Sequence, residues 1–122
     1  MNENYRSMQI QFNYHDSYID CIEILDDNTI RLRVVLYSVY YHDTNSVSIT
    51  FAGIFNEEKT KQYFKAILRN ADSPTDIGCG IQRLDYDSKK ESVQNNLYLH
   101  LITNWEDKIT IHCKSFFEKI EK

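Results

Sequence analysis

Tyr14-His15-Asp16-Ser17-Tyr18-Ile19-Asp20-Cys21-Ile22-Glu23-Ile24-Leu25-Asp26-Asp27-Asn28-Thr29-Ile30-Arg31-Leu32-Arg33-Val34 is the stretch on which the fold turns. Ile22 and Ile24 alternate with polar neighbours, Asp26-Asp27-Asn28 interrupts, and Ile30, Leu32 and Val34 resume the alternation. A period of two belongs to strands with one buried face. Pairing Ile24 with Ile30 sets Ile22 against Leu32 and Glu23 against Arg31. Apolar pairs then share one face and an opposite-charge pair the other. The connection is the three residues Asp26-Asp27-Asn28, types that tolerate the left-handed backbone of short hairpin loops.

Beyond Val34 the parity of the apolar positions switches. Leu36 is even, whereas Tyr37, Val39 and Tyr41 are odd, which predicts a bulge or bend between Val35 and Tyr37. The odd set pairs with Val47, Ile49 and Phe51 across a turn at Asp43-Thr44-Asn45, predicting a long aromatic hairpin. From Asn56 to Asn70 the period changes. Thr60, Tyr63, Phe64, Ile67, Leu68 and Ala71 recur at three- and four-residue spacing, as along one face of a helix. Asn56 is the expected N-cap, Glu57 and Glu58 suit the first turn, and Glu57 and Lys61 form an i,i+4 pair on the wet side.

Asp72 to Gly80 reads as a loop in which Gly78-Cys79-Gly80 is a turn, Ile81 to Tyr86 as a strand, and Asp87 to Asn95 as a polar connection. Leu97, Leu99 and Leu101, then Ile109, Ile111 and Cys113, alternate as a last hairpin. Ser115-Phe116-Phe117-Glu118 continues that strand or opens a helical turn as a capping box; both readings stand. Met8, Ile10 and Phe12 predict an N-terminal edge strand. The expected fold is α+β: a single domain over residues 1–122, in which a strongly bent antiparallel sheet of about six or seven strands carries one packed helix.

A chain of 122 residues buries about two-thirds of its unfolded surface without disulfides or metal. Lys plus Arg number 14 against 18 Asp plus Glu, a formal charge of −4. Lys59, Lys61, Lys65 and Arg69 are the nearest approach to a basic stripe, and Glu57 and Glu58 dilute it. Phosphate neutralisation drives nucleic-acid affinity, so no nucleic-acid partner is expected. Cys21, Cys79 and Cys113 form an odd set without Cys-x-x-Cys spacing. Met1 to Arg6 lacks the apolar core of a signal peptide, and no stretch is long enough to span a membrane. The expectation is a reduced cytoplasmic protein with no membrane partner, its thiols acting as small hydrophobes.

His15-Asp16-Ser17 has the residue types of a hydrolase triad, but three sequence neighbours cannot form that relay. The motif is expected to be structural, with Asp16 or Ser17 accepting backbone N–H groups. His100 and His112 are the candidates for a metal. If Leu101 faces Ile111 the two imidazoles lie opposite each other, still short of the four ligands of a closed zinc site. The alternative register sets His112 opposite Tyr98. No metal or cofactor is expected. Gly78-Cys79-Gly80 lacks the third glycine, the lysine and the following helix of a phosphate cradle. A nucleophilic Cys79 requires a neighbouring base. Asp85 and Asp87 share a solvated strand face. Trp105-Glu106-Asp107 sits at the last hairpin turn, where Trp105 either packs back on the sheet or joins Tyr37, Tyr40, Tyr41 and Tyr98 in a partner-binding face. No residue is expected to be catalytic.

Tyr14-His15-Asp16-Ser17-Tyr18-Ile19, followed by Ile22-x-Ile24, a polar turn and Ile30-x-Leu32-x-Val34, resembles small bacterial immunity proteins encoded beside polymorphic toxins. Ile49-Thr50-Phe51-Ala52-Gly53-Ile54 and Ile109-Thr110-Ile111-His112-Cys113 are similar to that group's later strands. The resemblance implies a cytoplasmic, non-enzymatic inhibitor that binds one cognate toxin. Acidic and aromatic side chains, here Tyr37, Tyr40, Tyr41, Trp105, Glu106 and Asp107, would meet a basic toxin surface. Two other readings of the residues remain: a small-molecule module whose bent sheet encloses an apolar ligand, and a metal- or thiol-dependent enzyme using His100, His112 or Cys79. The exposed aromatic strands equally suit a homodimer.

Overall fold

The computed structural model describes residues 10–42 and 46–121. Six strands and one helix follow in the order β1 (Tyr18–Asp26), β2 (Thr29–Val35), β3 (Ser46–Ile54), α1 (Glu57–Asn70), β4 (Cys79–Tyr86), β5 (Leu97–Thr103) and β6 (Ile109–Glu121). β1-β2-β3 and β4-β5-β6 are two meanders. β3 pairs with β6 and β1 with β4, all antiparallel, so the sheet closes as β1-β2-β3-β6-β5-β4. The expected α+β open sheet is therefore corrected to a mostly-β closed barrel with one helix. Closure pairs the edge groups that an open sheet leaves to solvent or to another chain.

Two segments that looked like chemistry form this closure. Tyr14 to Ser17 is a turn, with Ser17 N–H donating to Tyr14 O at 3.0 Å and Asp16 at φ 67°. Asp16 N–H donates to Ile81 O, and Ile81 N–H donates to Ser17 O. The seam continues through Tyr18 opposite Gly80 and Ile19 opposite Cys79, then through Gly78 N–H to Ile19 O and Ile77 N–H to Asp20 O. His-Asp-Ser and Gly-Cys-Gly thus meet as the two sides of one joint. Only Gly78, at φ 76°, is in the turn conformation expected of its motif; Cys79 and Gly80 open β4.

The β1–β2 register pairs Ile24 with Ile30, Ile22 with Leu32 and Glu23 with Arg31, the last joined at 3.0 Å. The hairpin connection is shorter than expected. Asp26 pairs with Thr29 after an irregularity at Leu25, and among the described residues the non-glycine positive φ values fall on Asp16 and Asn95. The aromatic hairpin is corrected too. Val47, Ile49 and Phe51 pair with Val34, Leu32 and Ile30, while Tyr37 to Tyr41 coils into a turn with Tyr40 and Tyr41 N–H both donating to Tyr37 O. The parity switch marks the end of a strand, since the apolar face of β3 was already matched by β2. Asp43, Thr44, Asn45 and Met8 lie outside the described residues; Ile10 and Phe12 are not in a strand. Ser115 to Glu118 continues β6.

β3 and β6 both change inward parity at one corner. Val47, Ile49 and Phe51 are buried, then Ile54, and Ile109, Ile111 and Cys113 give way to Phe116 opposite Phe51. Gly53 sits there at φ 63°, where a Cβ would lie 2.9 Å from Lys114 Cβ. A glycine at such a corner lets two strands bend together. Ile19, Ile30, Leu32, Val34, Ile49, Phe51, Leu99, Leu101 and Ile111 are completely buried, and a six-stranded barrel has room for little besides such side chains.

Two elements outside the strands add to this packing. Buried Tyr14 donates its hydroxyl to Glu118 Oε2 at 2.7 Å, and Gln11 N–H donates to Glu118 Oε1 at 2.9 Å. Elsewhere α1 packs on β1 and β6, burying Thr60, Phe64 and Ile67. Asn56 makes no side-chain cap. Its amide instead bridges to β6, donating to Thr110 O at 2.7 Å and accepting His112 N–H at 3.0 Å. Lys61 pairs with Asp27 at 3.5 Å and Glu58 at 3.9 Å in place of Glu57. Among the described residues no helix is long and apolar enough to cross a membrane.

Candidate functional site

Asn56, by tying the start of α1 to β6, holds the helix off the outer face of the β5–β6 hairpin and leaves a cleft of 610 Å³ between them. Lys59, Gln62 and Tyr63 project from α1, Tyr98, Thr110 and His112 from the strands, Glu106 and Lys108 from their connection, and Lys90 from the β4–β5 loop. The volume lies in the range of ligand sites, which combine concavity with a few placed polar groups.

A row of rings forms part of the wall. Tyr98 faces His112 across the strands, stacked at 4.2 Å with 8° between planes. Phe55 lies 4.5 Å from the His112 ring, and Lys90 Nζ sits 4.9 Å from the Tyr98 centroid, a cation–π distance. His112 Nε2 meets Asn96 Oδ1 at 2.6 Å. Burial first, and the Lys90 charge second, hold the His112 imidazole below its ordinary pKa. Tyr63 closes the far end, sharing a hydrogen bond with Thr103 Oγ1 at 3.1 Å, and burial pushes its phenol up to about 12.

Beside the cleft runs a second polar chain. His100 Nε2 and Asp87 Oδ2 are 2.8 Å apart, and His100 Nδ1 and Thr110 Oγ1 are 2.9 Å apart. The tautomer that satisfies both donates from Nε2 and accepts at Nδ1. Backbone N–H groups of Lys89 and Lys90 donate to Asp87 Oδ1 and are the main reason its carboxyl is held below the usual range. Carboxylate, imidazole and hydroxyl are connected as in a hydrolase relay. Catalysis also needs donors aimed at a developing oxyanion; the Asn56 amide gives one of its N–H groups to the Thr110 carbonyl.

The sequence candidates are scattered. Leu101 pairs with Ile109, so His100 faces Thr110 and His112 faces Tyr98; the two histidines are not opposite each other. No group of three or more His, Cys, Asp or Glu among the described residues is arranged to hold a metal ion. Ser17 is buried and its Oγ accepts Tyr37 N–H at 3.0 Å, while His15 and Asp16 make an exposed pair at 3.2 Å. Cys79 is fully buried and its thiol is pushed up by that burial, opposite to what an activated nucleophile needs. Tyr41 packs edge-on to Phe12 and its hydroxyl accepts Asn13 N–H, leaving Tyr40 and Val39 as the exposed tip. Trp105 packs against the core, Glu106 N–H donates to Thr103 Oγ1, and Asp107 is exposed. Tyr40 stacks edge-on with both Tyr37 and Tyr41, and no ring contact among the described residues joins Trp105 to these three tyrosines.

Lys59, Lys90, Lys108 and Asn56 carried no sequence signal for this role, because they come from three segments, the start of α1 and two strand connections, whose meeting depends on where α1 docks. Asp87 was visible only as a like-charged neighbour of Asp85. Comparison with protein families, curated proteins and solved structures finds no match.

Proposed function

We propose that this protein is a non-enzymatic binding domain whose ligand seats in the cleft between α1 and the β5–β6 hairpin. The observation that carries this reading is the 610 Å³ concavity itself, built on the outside of a barrel whose interior is filled by its own side chains. An apolar ligand enclosed within the sheet is thereby disfavoured, and the polar outer cleft takes its place. The test is amide NMR during titration with small molecules of neutral, anionic and cationic classes. Shifts concentrated at Gln62, Lys90, Tyr98 and His112 support the reading, and a spectrum indifferent to every class overturns it.

A second reading, a protein partner such as a cognate toxin, is favoured by the turn after β2. Val39 and Tyr40 are 61% and 47% exposed on a turn anchored by Ser17, and an exposed tyrosine on a rigid support suits an interface. Co-purification with the product of the neighbouring upstream gene supports this reading if Tyr40→Ala releases the partner. Absence of any complex counts against it.

A further inference from the structure

We propose that the cleft is an anion site built for a small phosphorylated ligand, an inference that rests on the cleft being the ligand site. The chain is acidic, yet Lys59, Lys90 and Lys108 converge on this cleft against the single carboxylate of Glu106. They come from α1, the β4–β5 loop and the β5–β6 connection, so no run of sequence forces their meeting. Arg31, Arg33, Arg83 and Lys61 are each paired with a carboxylate; the ion pairs among the described residues include none of the three cleft lysines, which differ from Lys65, Lys114 and Lys119 in sharing one concavity.

The kind of cation narrows the ligand. No arginine lines the cleft, so no bidentate fork is offered to an anion; lysine ammonium groups are point charges, which bind phosphate from several sides without a fixed fork geometry. Lys59 stands in the first turn of α1 beside Glu57 and Glu58, whose carboxylates offset the helix dipole there, and of these three only Lys59 lines the cleft. The ring row is closed by Lys90 at one end and Phe55 at the other, so recognition rests on charge rather than on stacking of a base. Gln62 at the rim can meet a hydroxylated remainder.

The test titrates pyrophosphate, citrate and glucose separately into the labelled protein at low salt. Pyrophosphate is expected to move the amides of Lys59, Lys90, Lys108 and His112, with affinity falling as salt rises. The variant K59Q/K90Q/K108Q should weaken pyrophosphate binding about 10-fold or more, and the charge-matched control K65Q/K114Q/K119Q by less than about 2-fold. Equal losses in both variants overturn the site. Cleft shifts from citrate or glucose without shifts from pyrophosphate overturn the phosphate inference and leave the binding cleft standing. No cleft shift from any class defeats both.

Discussion

Replacing Asn56 separates two accounts of how α1 is held. As an ordinary N-cap, Asn56 would be exchangeable for aspartate or serine at nearly no cost, because all three cap helices about equally well. In the structure the side chain acts as a piece of strand, donating to Thr110 O at 2.7 Å and accepting from His112 N–H at 3.0 Å. Asn56→Ala removes two half-buried hydrogen bonds of about 1 kcal/mol each and strands two backbone groups on β6, a loss of about 2–4 kcal/mol. Asn56→Asp keeps the acceptor but sets a carboxylate against the Thr110 carbonyl, and Asn56→Ser is too short to reach β6. Both should cost about 2 kcal/mol or more. Urea denaturation of the three variants, read as ΔG with the slope held in common, is the assay. Aspartate and serine variants within about 0.5 kcal/mol of the parent would mean that Asn56 is a simple cap and that the cleft owes nothing to it.

Three further outcomes follow from the geometry. Gly53→Ala forces φ 63° on a residue whose Cβ would sit 2.9 Å from Lys114 Cβ, and should cost about 2–3 kcal/mol, against about 1 kcal/mol for Gly78→Ala, where nothing lies within 4 Å; thermal melts rank the two. Asp16→Gly should fall within about 0.5 kcal/mol of the parent or be stabilising, because φ 67° favours glycine, whereas Ser17→Ala should cost about 1–2 kcal/mol by leaving Tyr37 N–H without its acceptor. Burial pushes the Tyr63 and Tyr86 phenols up to about 12 from an ordinary 10.0, and Tyr14 is also raised. The native state keeps protons that the unfolded chain releases, so their contribution is whole below about pH 10 and is lost as pH rises toward about 12. Urea midpoints compared at about pH 9 and about pH 11 should fall, and less so in the Tyr63→Phe/Tyr86→Phe variant.

Local pattern carried the first hairpin, the helix and the last hairpin, because each is specified by residues close in sequence. Ile24 opposite Ile30 and Glu23 opposite Arg31 followed from alternation and charge alone. Barrel closure did not, because its seam joins only two residue pairs within strands and its remaining bonds are backbone N–H to C=O links that no side chain announces. His-Asp-Ser and Gly-Cys-Gly attracted attention as chemistry for the same reason that they serve closure. Small polar residues and glycines suit tight turns and close backbone approach as well as they suit active sites. Tyr37 to Tyr41 misled because aromatic alternation also fits a short coiled turn. The cleft was illegible because its lysines acquire meaning only once α1 is docked.

Titration of His112, followed by NMR of its ring protons with and without pyrophosphate, reads directly whether an anion sits beside the Lys90 charge in the cleft. Burial and the neighbouring Lys90 charge hold this imidazole below its ordinary value, and an anion seated among Lys59, Lys90 and Lys108 offsets that charge and favours the imidazolium. The midpoint is expected to be depressed in the free protein, to move upward as pyrophosphate binds, and no longer to move in K59Q/K90Q/K108Q. A midpoint at or above the ordinary histidine value, or one that pyrophosphate leaves in place, would contradict the anion site.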